Sequence, residues 1–186
     1  MGDAAHKKAT YAELEALPPN MVGEIFYGVL HAFPRPRARH GRARTRLGSR
    51  LGPPFDEGEG GPGGWILLDE PELHLGDDVL VPDIAGWRRE RMPELPDVAF
   101  FTLAPDWLCE VLSPSTRTYD VTDKRSIYHR ERVRHLWLLD PEAATLEVQR
   151  WADGGYVTVG SWRDSAVVRA EPFDAIELPL AALWAR

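Results

Sequence analysis

Cysteine is all but missing from this chain, with Cys109 the single example. One thiol excludes an intramolecular disulfide framework and a multi-cysteine zinc cage, and it suits a reducing compartment. No run of eighteen apolar residues occurs either, so a membrane-spanning helix is not expected. The opening residues, with Asp3, Lys7 and Lys8 and no apolar stretch, do not read as a secretory signal. A cytoplasmic protein without a membrane partner is the expectation. Basic charge is also in deficit, at 22 Lys+Arg against 29 Asp+Glu for a net charge of -7. That balance argues against a protein that coats nucleic acid through its global field.

The basic residues are unevenly placed. Seven arginines (Arg35, Arg37, Arg39, Arg42, Arg44, Arg46 and Arg50) stand between positions 35 and 50 with no acid among them, which leaves 15 basic (22 less these seven) against 29 acidic residues elsewhere. With 186 residues and 44% hydrophobic content, the chain can bury one substantial core but is short for two. A single domain over residues 1–186 follows as the expectation.

Thr10-Tyr-Ala-Glu13 has the form of a capping box, which predicts a short helix through Leu17, stopped by Pro18-Pro19. Residues 23–33 read as two short strands around a Tyr27-Gly28 turn. Residues 37–51 suit a helix, and the Gly- and Pro-rich stretch 52–64 reads as a flexible loop. Strand-like runs follow at 65–68, 79–81 leading into 83–87, 107–112, 135–139, 145–151 and 156–159, with a helix pattern over 120–131. Strands with few, interspersed helices predict a mixed α/β or α+β fold around one central sheet.

Glu110 lies in Trp107-Leu-Cys-Glu-Val-Leu112, a run apolar at both parities and so expected to be a central strand covered on both faces. An ionised carboxylate buried there must bind a cation, meet a basic side chain or stay protonated. Asp83 poses the same question after Val79-Leu-Val-Pro82, where proline removes a ladder hydrogen bond. The plainer reading is a turn cap at Asp83 and a structural arginine bridge at Glu110. Two acids on successive apolar strands strengthen the metal-site reading, and oxygen donors suit Mg²⁺ or Mn²⁺ better than zinc. Lys124 follows on the helix pattern, with Asp120 one turn before it and Tyr128 one turn after it on the same face. Taken alone, Asp120 and Lys124 make a solvated ion pair worth a few tenths of a kcal/mol, on the order of 0.3. The polar turn Ser113-Pro-Ser-Thr116 would bring that helix back beside Glu110.

Glu24 in Gly-Glu-Ile-Phe-Tyr-Gly-Val-Leu, Asp83 in Val-Pro-Asp-Ile-Ala, Glu110 in Cys-Glu-Val-Leu-Ser-Pro-Ser-Thr, and the Asp120, Lys124, Tyr128 spacing together resemble the Uma-two family of restriction endonucleases. Trp137-Leu-Leu-Asp-Pro141 extends the likeness, which spans about Thr10 to Trp151. The resemblance implies a restriction-endonuclease-like PD-(D/E)XK core: a mixed sheet flanked by helices, with a metal held at one end. The superfamily lysine usually sits two residues after the acid, where this chain has Leu112. The resemblance moves that role to Lys124. It implies Mg²⁺ or Mn²⁺ held by Asp83 and Glu110, with Lys124 and Glu24 completing the catalytic group. It also implies hydrolysis of DNA phosphodiester bonds, which gives the arginine segment a use. Arg37, Arg39, His40, Arg42, Arg44 and Arg46 would face the nucleic acid and contact phosphates without reading sequence. Otherwise these arginines form a solvated helix face whose stems cover apolar surface.

Two other classes stay open from the residues alone. One is a non-catalytic module that keeps the fold to bind nucleic acid or protein. The other is a sugar hydrolase working with two carboxylates. Cleavage of both strands of a duplex is simplest with a two-fold dimer, so a homodimer is expected.

Overall fold

The computed structural model describes residues 7–184. The first helix, α1 (Tyr11–Glu15), starts as expected: Thr10 Oγ1 accepts from the Glu13 backbone N–H, and the Glu13 carboxylate accepts from the Thr10 N–H at 2.7 Å. Strands β1 (Met21–Phe26) and β2 (Val29–Pro34) form an antiparallel hairpin. Its two turn residues, Tyr27 and Gly28, lie at φ 54° and 75°, the left-handed pair that a two-residue hairpin needs.

Helix α2 (Ala38–Leu51) carries the arginine segment. The buried positions His40, Ala43, Leu47 and Leu51 recur at helical spacing, so one face is anchored and the arginines fall on the rest. The stretch read as a flexible loop opens with a π-helical turn, Gly52–Glu57, before bending away. Two prolines do not forbid it because they stand in its first positions, where no N–H is required.

The main sheet has six strands: β3 (Trp65–Asp69), β6 (Ile84–Arg88), β7 (Trp107–Val111), β8 (His135–Asp140), β9 (Thr145–Arg150) and β10 (Val157–Arg163), in the spatial order β10-β9-β8-β7-β6-β3. β7 runs parallel to β8 and antiparallel to β6, so the sheet is mixed and β7 is central. All five residues of β7 are buried, as the apolar run requires. Its side chains alternate between faces. Trp107, Cys109 and Val111 join the core under α2, whereas Leu108 and Leu112 pack with Phe26, Ile127 and Tyr128 on the other side.

The single central sheet expected from the strand pattern is in fact accompanied by another. β4 (Leu73–Leu75) and β5 (Asp78–Leu80) join the β1–β2 hairpin in a second sheet of four strands, ordered β2-β1-β5-β4. The chain leaves this sheet at Leu80 and enters the main one at Ile84, so Val81-Pro82-Asp83 bridges the two. Beyond β7, helical residues run without a break through α3 (Arg117–Tyr119), a π-helical turn (Asp120–Lys124) and α4 (Arg125–Arg130). A two-stranded ribbon, β11 (Val167–Val168) with β12 (Leu178–Pro179), and the short α5 (Ala181–Trp184) close the structure. No helix among the described residues is long and apolar enough to cross a membrane.

Candidate active site

The seam between the two sheets collects the acids. Alternation along β7 turns Glu110 away from the α2 side and toward the second sheet, where its side chain is 2% exposed. Glu24 arrives from β1, and its Oε1 accepts from the Val81 N–H at 2.7 Å, which fixes it to the start of the bridging segment. Asp83, at the end of that segment, accepts from the Val111 N–H at 2.8 Å through Oδ2. The donor is the last residue of central β7, and Pro82 stands between the two sheets just before Asp83.

Lys124 fills the space among these groups. Its ammonium lies 2.9 Å from Glu110 Oε1, 3.0 Å from Glu24 Oε1 and 3.3 Å from Asp120 Oδ1, with all four side chains buried. Tyr128, one turn on, donates its hydroxyl to the same Glu110 oxygen at 2.7 Å. The Asp120 and Lys124 pair is therefore sealed inside the protein and is not the solvated surface bridge that spacing alone allows. The π-helical turn between them is a deviation common where side chains must be aimed at a site.

Three buried carboxylates around one ammonium leave an excess of negative charge. Burial, augmented by the charges of Asp120, Asp83 and Glu24, pushes the Glu110 carboxyl well above the ordinary carboxylate range despite Lys124. Burial likewise raises Glu24 and Asp120, against the pull of the same ammonium. Burial by itself would lower Lys124, but Glu110 and Glu24 outweigh it and hold the ammonium firmly charged.

Glu24, Asp83, Glu110, Lys124 and His40 all line one cavity of about 60 Å³, joined there by Asp120 and Glu70. It adjoins a wider cleft of about 590 Å³, bounded by Arg35, Arg37 and Arg39 on one side and by Ser113, Pro114 and Ser115 on the other. His40, from α2, sits where the two meet. Its Nε2 lies 3.3 Å from Asp83 Oδ1, and its buried Nδ1 has no hydrogen-bond partner among the described residues. Arg44, one turn along α2, points inward to Asp69 at 3.3 Å and to Glu70, with Asp83 Oδ1 at 3.9 Å. Of the arginines expected to face nucleic acid, Arg37 and Arg39 thus reach the cleft, Arg44 turns to the acids, and Arg42 and Arg46 lie farther along α2.

Asp120 and Glu70 join the site without having been expected in it. Asp120 is within reach of sequence reasoning, since its spacing to Lys124 is visible. Glu70 is not, because it stands in an acid-rich Asp-Glu-Pro-Glu stretch that resembles any exposed turn. In the structure Glu70 has a left-handed backbone (φ 46°), a costly conformation for a residue with a side chain.

The fit of a divalent cation rests on donor chemistry. Among the described residues no three His, Cys, Asp or Glu side chains form a ready metal cage. Mg²⁺ does not require one: it takes one or two carboxylates and keeps several waters. Asp83 and Glu110 present two hard oxygen donors to one cavity whose carboxylates outnumber its ammonium. The donor set fits Mg²⁺ or Mn²⁺ and is wrong for a soft-metal site.

The Uma2 family model, described as "Putative restriction endonuclease", matches residues 9–181. The chain belongs to the Uma2 family. Among solved structures it is similar to a protein described as a "putative nuclease belonging to DUF820" from Anabaena variabilis. That match has 24% sequence identity and a TM-score of 0.76, and it covers 95% of this chain and 97% of the other. The TM-score and coverage establish the shared fold, a mixed sheet flanked by helices, as the sequence motifs imply. No curated protein matches the chain. Family and fold together make this Uma2 member a nuclease-type protein.

Proposed function

We propose that the protein is a divalent-metal-dependent endonuclease that hydrolyses phosphodiester bonds in DNA, with Asp83, Glu110, Lys124 and Glu24 as its working group. One observation carries this reading: four elements distant in sequence deliver these four side chains to one cavity that adjoins an arginine-bounded cleft. Asp83 and Glu110 would hold Mg²⁺ or Mn²⁺, which when bound supplies Lewis acidity that activates water and neutralises charge on the phosphate.

The protein's own residues do the rest. Lys124 brings a fixed positive charge to the phosphate side of Glu110, and Glu24 and Asp120 hold that ammonium in place. His40 and Arg44 brace Asp83 from the α2 side. Arg37 and Arg39 contact phosphates flanking the reacting one. Water oxygen forms the new bond to phosphorus, the bond to the 3′-oxygen breaks, and the proton released by water ends on that oxygen. The products carry 5′-phosphate and 3′-hydroxyl ends.

Incubation with plasmid and single-stranded DNA in Mg²⁺ or Mn²⁺, with EDTA controls, is the deciding experiment. Cleavage is expected in the wild type, with a fall of at least about a hundredfold in Asp83→Asn, Glu110→Gln and Lys124→Met, a size typical for removing one transition-state interaction. Persisting cleavage in EDTA or in all three variants would remove the metal model. A folded wild type that binds DNA and never cuts it would instead identify a non-catalytic binding module. Leu112 at the position where the superfamily lysine usually sits, together with the net charge of -7, is what favours this second reading.

A further inference from the structure

Tyr128 reaches the candidate site from behind. It lines neither the cavity nor the cleft, so it can act on whatever binds there only through the residue it holds. Its ring is fully buried among Phe26, Leu108, Leu112, Ile127 and Leu136, and its backbone carbonyl accepts from the Val133 N–H at 3.0 Å. Ring and backbone are both anchored, which gives the hydroxyl one place to be. There it donates to Glu110 Oε1 at 2.7 Å.

Lys124 meets the same oxygen at 2.9 Å. A buried carboxylate requires a counter-charge, and the ammonium supplies it. Tyr128 adds no charge; it adds direction. An ammonium on a flexible four-carbon stem can follow a moving carboxylate with any of its three protons. The terminal torsion of a glutamate is broad and roughly two-fold, so such a partner alone leaves the carboxylate plane loosely set. A phenol locked into the core gives the same oxygen a second bond that cannot follow it. Neither bond uses Oε2. Asp83 is held in a parallel way: its Oδ2 accepts from the Val111 N–H at 2.8 Å, while Oδ1 faces His40 at 3.3 Å and Arg44 at 3.9 Å. Each of the two acids thus has one oxygen tied to a neutral, rigid donor and a second oxygen outside that bond.

We propose that Tyr128 is a positioning residue for the candidate metal centre: its hydroxyl fixes the orientation in which Glu110 offers its other oxygen to the cation. The inference rests on the metal-dependent reading above and adds to that site a residue that touches neither the ion nor the DNA. Mg²⁺ demands near-ideal octahedral geometry, whereas Ca²⁺ accepts irregular shells. Loosening Glu110 therefore weakens the hold on Mg²⁺ more than the hold on Ca²⁺.

Tyr128→Phe removes one oxygen and keeps the ring that packs the core, so the variant retains the fold, which circular dichroism checks. The measurement is isothermal titration of the whole protein with Mg²⁺ and with Ca²⁺, in the absence of DNA. Tyr128→Phe is expected to bind Mg²⁺ about 10–100-fold more weakly, the usual size for losing a partner that orients a metal ligand, and to lose less for Ca²⁺. A variant that unfolds in less urea but keeps the wild-type Mg²⁺ affinity would overturn the inference and leave the hydroxyl a structural bond. Equal losses for the two ions would also overturn it, because orientation would then not be what the hydroxyl supplies. In both of those cases the metal-dependent reading stands. Wild-type protein that takes up neither ion would overturn that reading and the inference with it.

Discussion

Lys124 has an unusual duty for a lysine: among the described residues it is the sole cation touching three buried carboxylates. Replacing it with methionine strands those charges, and breaking a buried ion pair from one side costs about 3–5 kcal/mol. Urea unfolding of Lys124→Met should show a loss of that size, partly recovered on adding Mg²⁺, because the ion replaces the missing positive charge. The carboxylates also dictate a pH response. Glu110, Glu24 and Asp120 are all raised above their unfolded values by burial, so the folded state holds more protons than the unfolded chain from about pH 4 upward, through the raised range. Their contribution is therefore greatest in mild acid and declines as pH rises. Asp140 has the opposite sign: burial would raise it, but the Ala143 N–H and Arg117 outweigh that and lower it. Its stabilisation is lost only as pH falls below the unfolded carboxylate range. Urea midpoints measured without metal should accordingly decline as pH is raised above the unfolded carboxylate range and fall again in strong acid. A midpoint that climbs steadily with pH would contradict this account. At this scale much is legible in the sequence: the doubly apolar run around Glu110 announces a buried acid, and the Asp120, Lys124, Tyr128 spacing announces one helical face. Which oxygen meets which donor is not, since that depends on a π-helical turn with no signature in Asp-Val-Thr-Asp-Lys.

Helix α2 shows how an element can serve a site at some cost to itself. It contains Gly41 and Gly48, and a methyl group at either would meet nothing within 4 Å. Gly48→Ala should stabilise the protein by about 0.5–1 kcal/mol, read as a raised thermal midpoint, because helical glycine carries an entropic penalty that alanine does not. A neutral or negative result would mean that the backbone there is not ordinary helix. Element existence is readable for α1, α2, the hairpin and the β7 to β9 strands, where capping, periodicity and turn chemistry agree. It is poorly readable for β4, a strand of three residues with too little alternation to register; the 79–81 run anticipates β5, but Pro82 marks a break without saying that the chain changes sheets. The 52–57 turn misleads because proline and glycine usually signal a loop, whereas prolines in the first helical positions are permitted.

Across the whole molecule the arginine segment opposes the charge of everything else. Arg39, Arg42 and Arg46 are spaced by three and four residues, so they share a helix face that continues outward from the cleft. If that face tracks the DNA backbone, the logarithm of affinity should fall with the logarithm of salt. Removing Arg39 and Arg46 together should then shrink the slope by about 1.4 to 1.8, because each phosphate neutralised adds roughly 0.7 to it on a single strand and roughly 0.9 on a duplex. An unchanged slope would return the face to solvent. We also expect a dimer: sedimentation at micromolar concentration should exceed the 20.9 kDa of one chain. Overall fold and family are legible because Glu-Val-Leu-Ser-Pro-Ser-Thr is specific. The seam is not, since it is made by two sheets whose division the sequence does not mark.

That seam also governs when the cluster can first exist. Glu24, Asp83, Glu110 and Lys124 come from opposite ends of more than half the chain, and β7 gains its parallel neighbour only once β8 has been made. A chain emerging from the ribosome therefore carries these side chains apart until Asp140, the last residue of β8, has been added. A fragment released early would lack the strand that flanks β7, and with it the assembled cluster.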